Sequence, residues 1–230
     1  MYGLIIPLFS QLWWKGILLF LAIIVSVPLL SYRLSFKHRK VIANSLGGYL
    51  IFSTILMQFK IIALGTWDVS WALPLQYCNV MSFISALAFI TRAQRIYEIS
   101  LFLGLFAPMQ GIITPGLAFD IEGYFLWDYF SHHAVIILCP IYLTLIYQMR
   151  PRKNSWLKAP LNFFPLVALI YLFDLYVEGN YMFLTFPPPI ENPLILGPWP
   201  TYLGVWIFFI FALGFITEKG ILAFKGKKFS

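Results

Sequence analysis

Long, uninterrupted apolar runs dominate this sequence, and a backbone inside such runs has few ways to fold. A bilayer core offers no hydrogen bonds, so a spanning segment must satisfy its own N–H and C=O groups as a helix or pair them in a closed barrel. Crossing as a helix takes about 20 mostly apolar residues. Runs of that kind occupy 12–32, 42–63, 71–91, 96–117, 124–148, 157–178 and 201–223, without the short alternating segments of barrel strands. The expectation is an all-α, polytopic membrane protein, a seven-transmembrane-helix bundle forming a single domain over 1–230. Composition agrees: 11% of residues are charged, against about 25% in soluble domains. The first run has neither a basic leading region nor a small-residue cleavage site, so it is expected to remain as a span.

The net charge of +7 raises the question of nucleic acid, but the basic residues lie in short clusters between the runs. Arg33, Lys37, Arg39 and Lys40 follow the first run, Arg92 and Arg95 the third, and Arg150, Arg152, Lys153 and Lys158 the fifth; Lys219, Lys225, Lys227 and Lys228 end the chain. That is 14 of the 16 basic residues on one side. The loops at 64–70, 118–123 and 179–200 carry none. By the positive-inside rule these loops face outward, which places the N-terminus outside and the C-terminus inside a multi-pass protein of the plasma membrane. Lys15 and Lys60 lie near outer helix ends, where their long side chains reach the headgroups. Membrane phospholipid is the expected partner, and no nucleic acid. Cys78 and Cys139 both lie within apolar runs, which argues against a disulfide, and no Cys/His spacing suits a metal; no cofactor is implied.

Polar and ionisable groups inside spans are costly and are functional candidates by default. Cys78 lies about seven residues into the third run, and His132 and His133 eight or nine residues into the fifth, which puts them at roughly 10 to 14 Å below one face at 1.5 Å per residue. Gln76 and Asn79, Gln110, Asp128, and Asp174 with Glu178 converge on the same half. Residues four apart share a helix face, so Asp128 is placed to reach His132 and Tyr129 to reach His133. Each has a plainer reading as well: Ser82 and Ser85 as small packing residues, Cys78 and Cys139 as compact apolar side chains, and Asp128 with His132 as a self-neutralising pair.

Three stretches change the weighting. Leu-Pro-Leu-Gln-Tyr-Cys-Asn at 73–79, Gly-Leu-Phe-Ala-Pro-Met-Gln-Gly-Ile-Ile-Thr-Pro at 104–115, and Gly-Asn-Tyr-Met-Phe-Leu at 179–184 followed by Leu-Gly-Pro-Trp-Pro-Thr-Tyr-Leu at 196–203 stand in this order. They resemble the elements of the YwaF-like family of bacterial integral membrane proteins, which is related to the eukaryotic transmembrane protein 164. The resemblance implies a seven-helix membrane fold and, by analogy with the eukaryotic branch, a lipid acyltransferase that carries the acyl group as a thioester on Cys78. His133 matches the family's histidine on the later span and becomes the expected base, with His132, Asp128 and Tyr129 as supporting or alternative residues. Gln76, Asn79, Gln110, Asn180 and Tyr181 are expected to supply oxyanion or substrate contacts. Two family histidines are replaced, one by Gln76 and one around Trp13 and Trp14. The proline-rich stretch 182–200 is expected to fold over the outer mouth. Two other classes stay open: a non-catalytic lipid-binding or assembly protein, and a channel or transporter built on Asp174 and Glu178.

Overall fold

The computed structural model describes residues 4–117, 123–188 and 195–223. Eight α-helices make up most of the described chain: α1 (Gln11–Tyr32), α2 (Phe36–Ala63), α3 (Tyr77–Thr91), α4 (Gln94–Leu103), α5 (Phe106–Ile113), α6 (Tyr124–Leu145), α7 (Ser155–Val177) and α8 (Thr201–Ala223). Two dipeptide strands, β1 (Leu4–Ile5) and β2 (Gly116–Leu117), pair antiparallel with Leu4 opposite Leu117. Five segments are long and apolar enough to cross a bilayer: α1, α2, α4 with α5, α7 and α8. With α6 and the shorter α3 they form a membrane bundle of seven columns.

α6 is the central column. It packs against α1, α2, α3, α4 and α5, and 14 of its 22 residues are buried, whereas α8 buries only Tyr202, Gly214 and Glu218. Lipid tails are as apolar as leucine, so packing rather than hydrophobic transfer holds such helices together. At Gly16 of α1 an added Cβ would fall 2.2 Å from the Phe130 ring of α6, so the absence of a side chain is what lets these two helices approach.

Two expected spans are built differently. The run 71–91 is helical only from Tyr77. Pro74 has no N–H and disfavours helical geometry in the residue before it, and the approach to α3 is a set of tight turns, with Trp71 and Ala72 N–H both donating to the Asp68 carbonyl and Leu75 N–H to that of Leu73 at 2.7 Å. Cys78 therefore stands in the first turn of a helix rather than two turns along one. The 15 residues of α3 rise about 22 Å, so its N-terminus stops well short of a hydrocarbon core about 30 Å thick. The run 96–117 is broken at Gly104–Leu105 into α4 and α5 and ends in β2. Pro108 has no N–H to offer the Gly104 carbonyl, so the helix cannot continue through that point. Smaller shifts occur at α2, which starts six residues before the apolar run and carries its Lys and Arg beyond it, and at α6, which ends at Leu145.

The turns α1–α2, α3–α4 and α6–α7 collect the basic clusters at one end of the bundle. Arg92 reaches Asn44 Oδ1 at 3.2 Å and lies over the Tyr147 ring. Buried Glu98 accepts from Arg152 Nε at 2.9 Å and Nη2 at 2.6 Å, from the Arg152 amide, and from Gln94. Glu218 of α8, also buried, accepts from the amides of Asn154 and Trp156 and from Ser155 Oγ, and so caps α7 from another helix. Lys225, Lys227 and Lys228 lie outside the described residues.

Candidate active site

At the opposite end the helices part around a cavity of about 1040 Å³. Nine of the ten residues singled out from sequence line it: Gln76, Cys78, Asn79, Gln110, Asp128, Tyr129, His132, His133 and Asn180. Tyr181 is not on that wall. It is fully buried behind it, its hydroxyl accepting from Leu73 N–H at 2.9 Å and donating to the Val69 carbonyl at 2.8 Å. Its role in the structure is to tie the segment after α7 to the turns before α3.

The local fold of α3 gives Cys78 its setting. Gln76 is the N-cap residue, and the first intrahelical bond runs from Val80 N–H to the Gln76 carbonyl at 3.0 Å. The amides of Tyr77, Cys78 and Asn79 thus precede the helical ladder and are directed along the helix axis beyond its N-terminus, and all three residues line the cavity. A helix N-terminus of this kind stabilises negative charge, whether on a thiolate or on an oxyanion beside it. The sequence reading assigned oxyanion donors to side-chain amides and missed these backbone groups; Pro74, two residues before the cap, was the signal. Gln76 itself accepts from Met182 N–H through Oε1 at 3.0 Å, and so pins the third motif onto the first. Gln110 Nε2 donates to Thr114 Oγ1 at 3.0 Å within its own helix turn.

The two histidines are held differently. His133 Nδ1 stands 2.8 Å from the Tyr129 carbonyl. A carbonyl only accepts, so Nδ1 carries the proton and Nε2 of the neutral ring keeps its lone pair. The ring lies against that of Tyr129, with centroids 4.2 Å apart, and the Tyr129 hydroxyl donates to the Gly111 carbonyl at 2.8 Å. Nε2 faces α5 at Gly111, where an added Cβ would fall 3.0 Å from it. His132, by contrast, has both nitrogens engaged: Nδ1 meets Ser53 Oγ at 3.0 Å and Nε2 meets Ser82 Oγ. Ser53 donates to Asp128 Oδ1 at 2.6 Å, and Ser82 is bonded to the carbonyl of Cys78 itself. Asp128 therefore reaches His132 through Ser53 rather than directly. The chain Asp128–Ser53–His132–Ser82 ties α6, α2 and α3 together directly beneath the nucleophile candidate. Ser53 was not picked out from sequence; a hydroxyl pair, Ser53-Thr54, in the otherwise apolar stretch 50–57 was the available sign.

Of the other residues raised by the sequence, Cys139, Trp13 and Asp174 fall outside the cavity wall. Cys139 is fully buried in the packed core, 3.3 Å from the Ser85 carbonyl. Trp13, where a family histidine was expected, donates from Nε1 to the Ile113 carbonyl at 3.0 Å and packs in a small cluster with Ile6, Phe20, Ile112 and Phe130. Asp174 is buried and accepts from Tyr181 N–H at 2.9 Å, while Glu178 is at the cavity mouth. Of the proline-rich stretch, Met182, Phe183, Phe186 and Pro188 line the cavity; 189–194 lies outside the described residues.

No curated protein and no solved structure matches the chain. Its residues 8–217 match the TMEM164 family, a span that takes in α1 to α7, most of α8 and the whole cavity wall, and the chain belongs to that family.

Proposed function

We propose that the protein is a membrane lipid acyltransferase that works through an acyl-thioester on Cys78, with phospholipid as donor and lysophospholipid as acceptor. The observation that carries this reading is the meeting, in one largely apolar cavity, of a thiol at a helix N-terminus and an imidazole whose Nε2 is left as an acceptor. The clustering of basic residues at the opposite end supports a cavity that opens to the outer leaflet, in this reading that of the plasma membrane.

In the first half-reaction His133 Nε2 takes the proton from Cys78, and the sulfur attacks the ester carbonyl of the donor. The tetrahedral oxyanion forms beside the free amides of the first turn of α3, which favour it over the neutral ground state. Collapse breaks the C–O bond, and the departing lysolipid oxygen takes the proton from His133 Nε2. In the second half-reaction the hydroxyl of another lysophospholipid gives its proton to His133 and attacks the thioester, and the Cys78 sulfur leaves and is reprotonated. Water in place of the acceptor turns transfer into hydrolysis. His132, fixed at both nitrogens, serves in this scheme as a positioning residue: through Ser82 it braces the carbonyl of Cys78.

The test is chemical. Purified protein given diacyl phospholipid with a labelled acyl chain should yield a hydroxylamine-sensitive adduct that Cys78→Ala abolishes and Cys139→Ala leaves intact. Absence of any such adduct with wild-type protein, across diacyl lipids of several headgroups, overturns the reading in favour of a lipid-binding protein.

A further inference from the structure

The walls of the cavity are unequal. The sides formed by α2 with α3, α2 with α6 and α5 with α6 are packed helix pairs. The top is tied down by loop contacts: Gln58 Nε2 donates to the Ala72 carbonyl at 2.8 Å, Gln76 holds Met182, and Tyr181 holds Leu73 and Val69. α5 and α8 both line the cavity, yet among the described residues they do not form a packed pair. Apart from Gln110, the side chains these two helices present to the cavity are apolar, among them Phe106, Ala107 and Met109 on α5 and Phe209, Ile210 and Leu213 on α8. Ala107 and Phe209, one on each helix, are both exposed and both line the cavity, as residues would be where the hollow opens to the space that lipid occupies. From Trp206 to Leu213 the wall of α8 rises about 10 Å, the length of roughly eight methylene groups.

We infer that the gap between α5 and α8 is a lateral portal through which one acyl chain of a phospholipid enters from the bilayer and is held while its ester reaches Cys78. An acyl chain suits this gap because it is linear, apolar and already at that depth in the membrane; leaving lipid for such a wall costs no dehydration. The polar groups of the lipid stay near Gln76 and the loop residues of the mouth. The inference rests on the acyl-transfer reading for the purpose of the portal, but not for its existence.

Its test separates the two. The probe is a diacyl phosphatidylethanolamine bearing a photoactivatable diazirine midway along one acyl chain, supplied to the protein in lipid nanodiscs. Irradiation should label peptides containing 106–113 and 206–213; labelling confined to the outward faces of α1 and α7 overturns the portal. Ala107→Trp and Ile210→Trp, each set in the gap, should lower both that labelling and acylation of Cys78 by at least about tenfold, as expected when reacting groups are kept from registering. Alkylation of Cys78 by N-ethylmaleimide, a small reagent admitted by the mouth, should keep its wild-type rate in both variants and so report an intact fold. Wild-type acylation in both tryptophan variants overturns the portal and leaves acyl transfer standing. Labelling of α5 and α8 without any thioester keeps the portal and overturns acyl transfer.

Discussion

Cys139 lies midway along α6 with no exposed surface, its thiol against the Ser85 carbonyl and side chains packed on every side. Cys78 lies in the first turn of α3, half-buried on the wall of a large cavity. Both stand in apolar runs, and hydropathy does not distinguish them. Helix position does. In the middle of a helix all neighbouring amides are spent on the ladder, and a thiol has nothing to stabilise its charge. In the first turn three amides are unspent, and the missing helical turns before Tyr77 leave room for a substrate. What sets Cys78 apart from Cys139 is the proline four residues before it, which keeps the helix from starting earlier.

The sharpest test of this contrast is at the histidines. His133→Gln keeps a polar side chain of similar reach but removes the base, and the rate of Cys78 acylation should fall by about 10² to 10⁴, the range for loss of general acid–base catalysis. His132→Gln should cost less, because its ring holds rather than reacts. If the two losses are reversed in size, the roles assigned to the pair are wrong. Next in size come Ser53→Ala and Ser82→Ala, which cut the chain from Asp128 to the Cys78 carbonyl on either side of His132. Each should slow acylation by about tenfold, the effect of a modest misplacement, with the apparent affinity for donor lipid retained; Ser82→Thr, which restores the hydroxyl, should recover most of the rate. A loss expressed in affinity alone would point to lipid binding rather than positioning.

What could be read in advance follows a physical line. Hydropathy is a strong constraint in a bilayer, so the ends of α1, α7 and α8 fell within two residues of the apolar runs. Polar residues in spans are rare, so Cys78, His132, His133 and Asp128 stood out and do meet in one cavity. Hydropathy is blind to helix breaks inside an apolar run, which is why the turns of 71–76 and the break at Gly104–Leu105 were read as continuous helix. Proline-specific backbone chemistry at Pro74 and Pro108 decides both. Contacts between distant segments, such as Ser53 with Asp128 or Glu218 with Asn154, leave no periodic trace and emerge only from packing.

The basic end provides the counterpart to the cavity, since its polar groups are satisfied by the protein itself. Arg152→Met leaves the Glu98 carboxylate buried without its cation and should lower the stability of the bundle, by less than the breaking of a fully buried pair because the arginine is itself exposed and solvent screens it; a lowered midpoint of thermal unfolding in detergent reads it. Glu98→Gln, which removes charge and keeps hydrogen bonding, should cost less. Cys139→Ala trims one sulfur from a packed core and should cost about 1 kcal/mol with acylation of Cys78 unchanged; a comparable loss of acylation would dissolve the contrast between the two cysteines.

The smallest effect belongs to the loop that sets up α3. The Asp68 carboxyl is held below the usual carboxylate range by hydrogen bonds from the Ser70 hydroxyl and amide, at 2.5 and 2.8 Å to the same oxygen. A carboxyl with a lowered folded value binds its proton less readily folded than unfolded. Its contribution is therefore present above the unfolded pKa of about 4 and fades as pH falls through the lower folded value. Asp68 is fully exposed, so solvent screens the interaction and the contribution is slight. Asp68→Asn should flatten the acid limb of the stability profile measured from about pH 5 downward, without moving the plateau near neutrality by more than the scatter of surface substitutions. Because the Asp68 carbonyl also receives the Trp71 and Ala72 amides, loosening this turn should be felt first in the approach to Cys78. Limited proteolysis at 66–72 in the acid range should then report it before global unfolding does, and equal cleavage of wild type and variant at every pH would show that the turn does not depend on the charge.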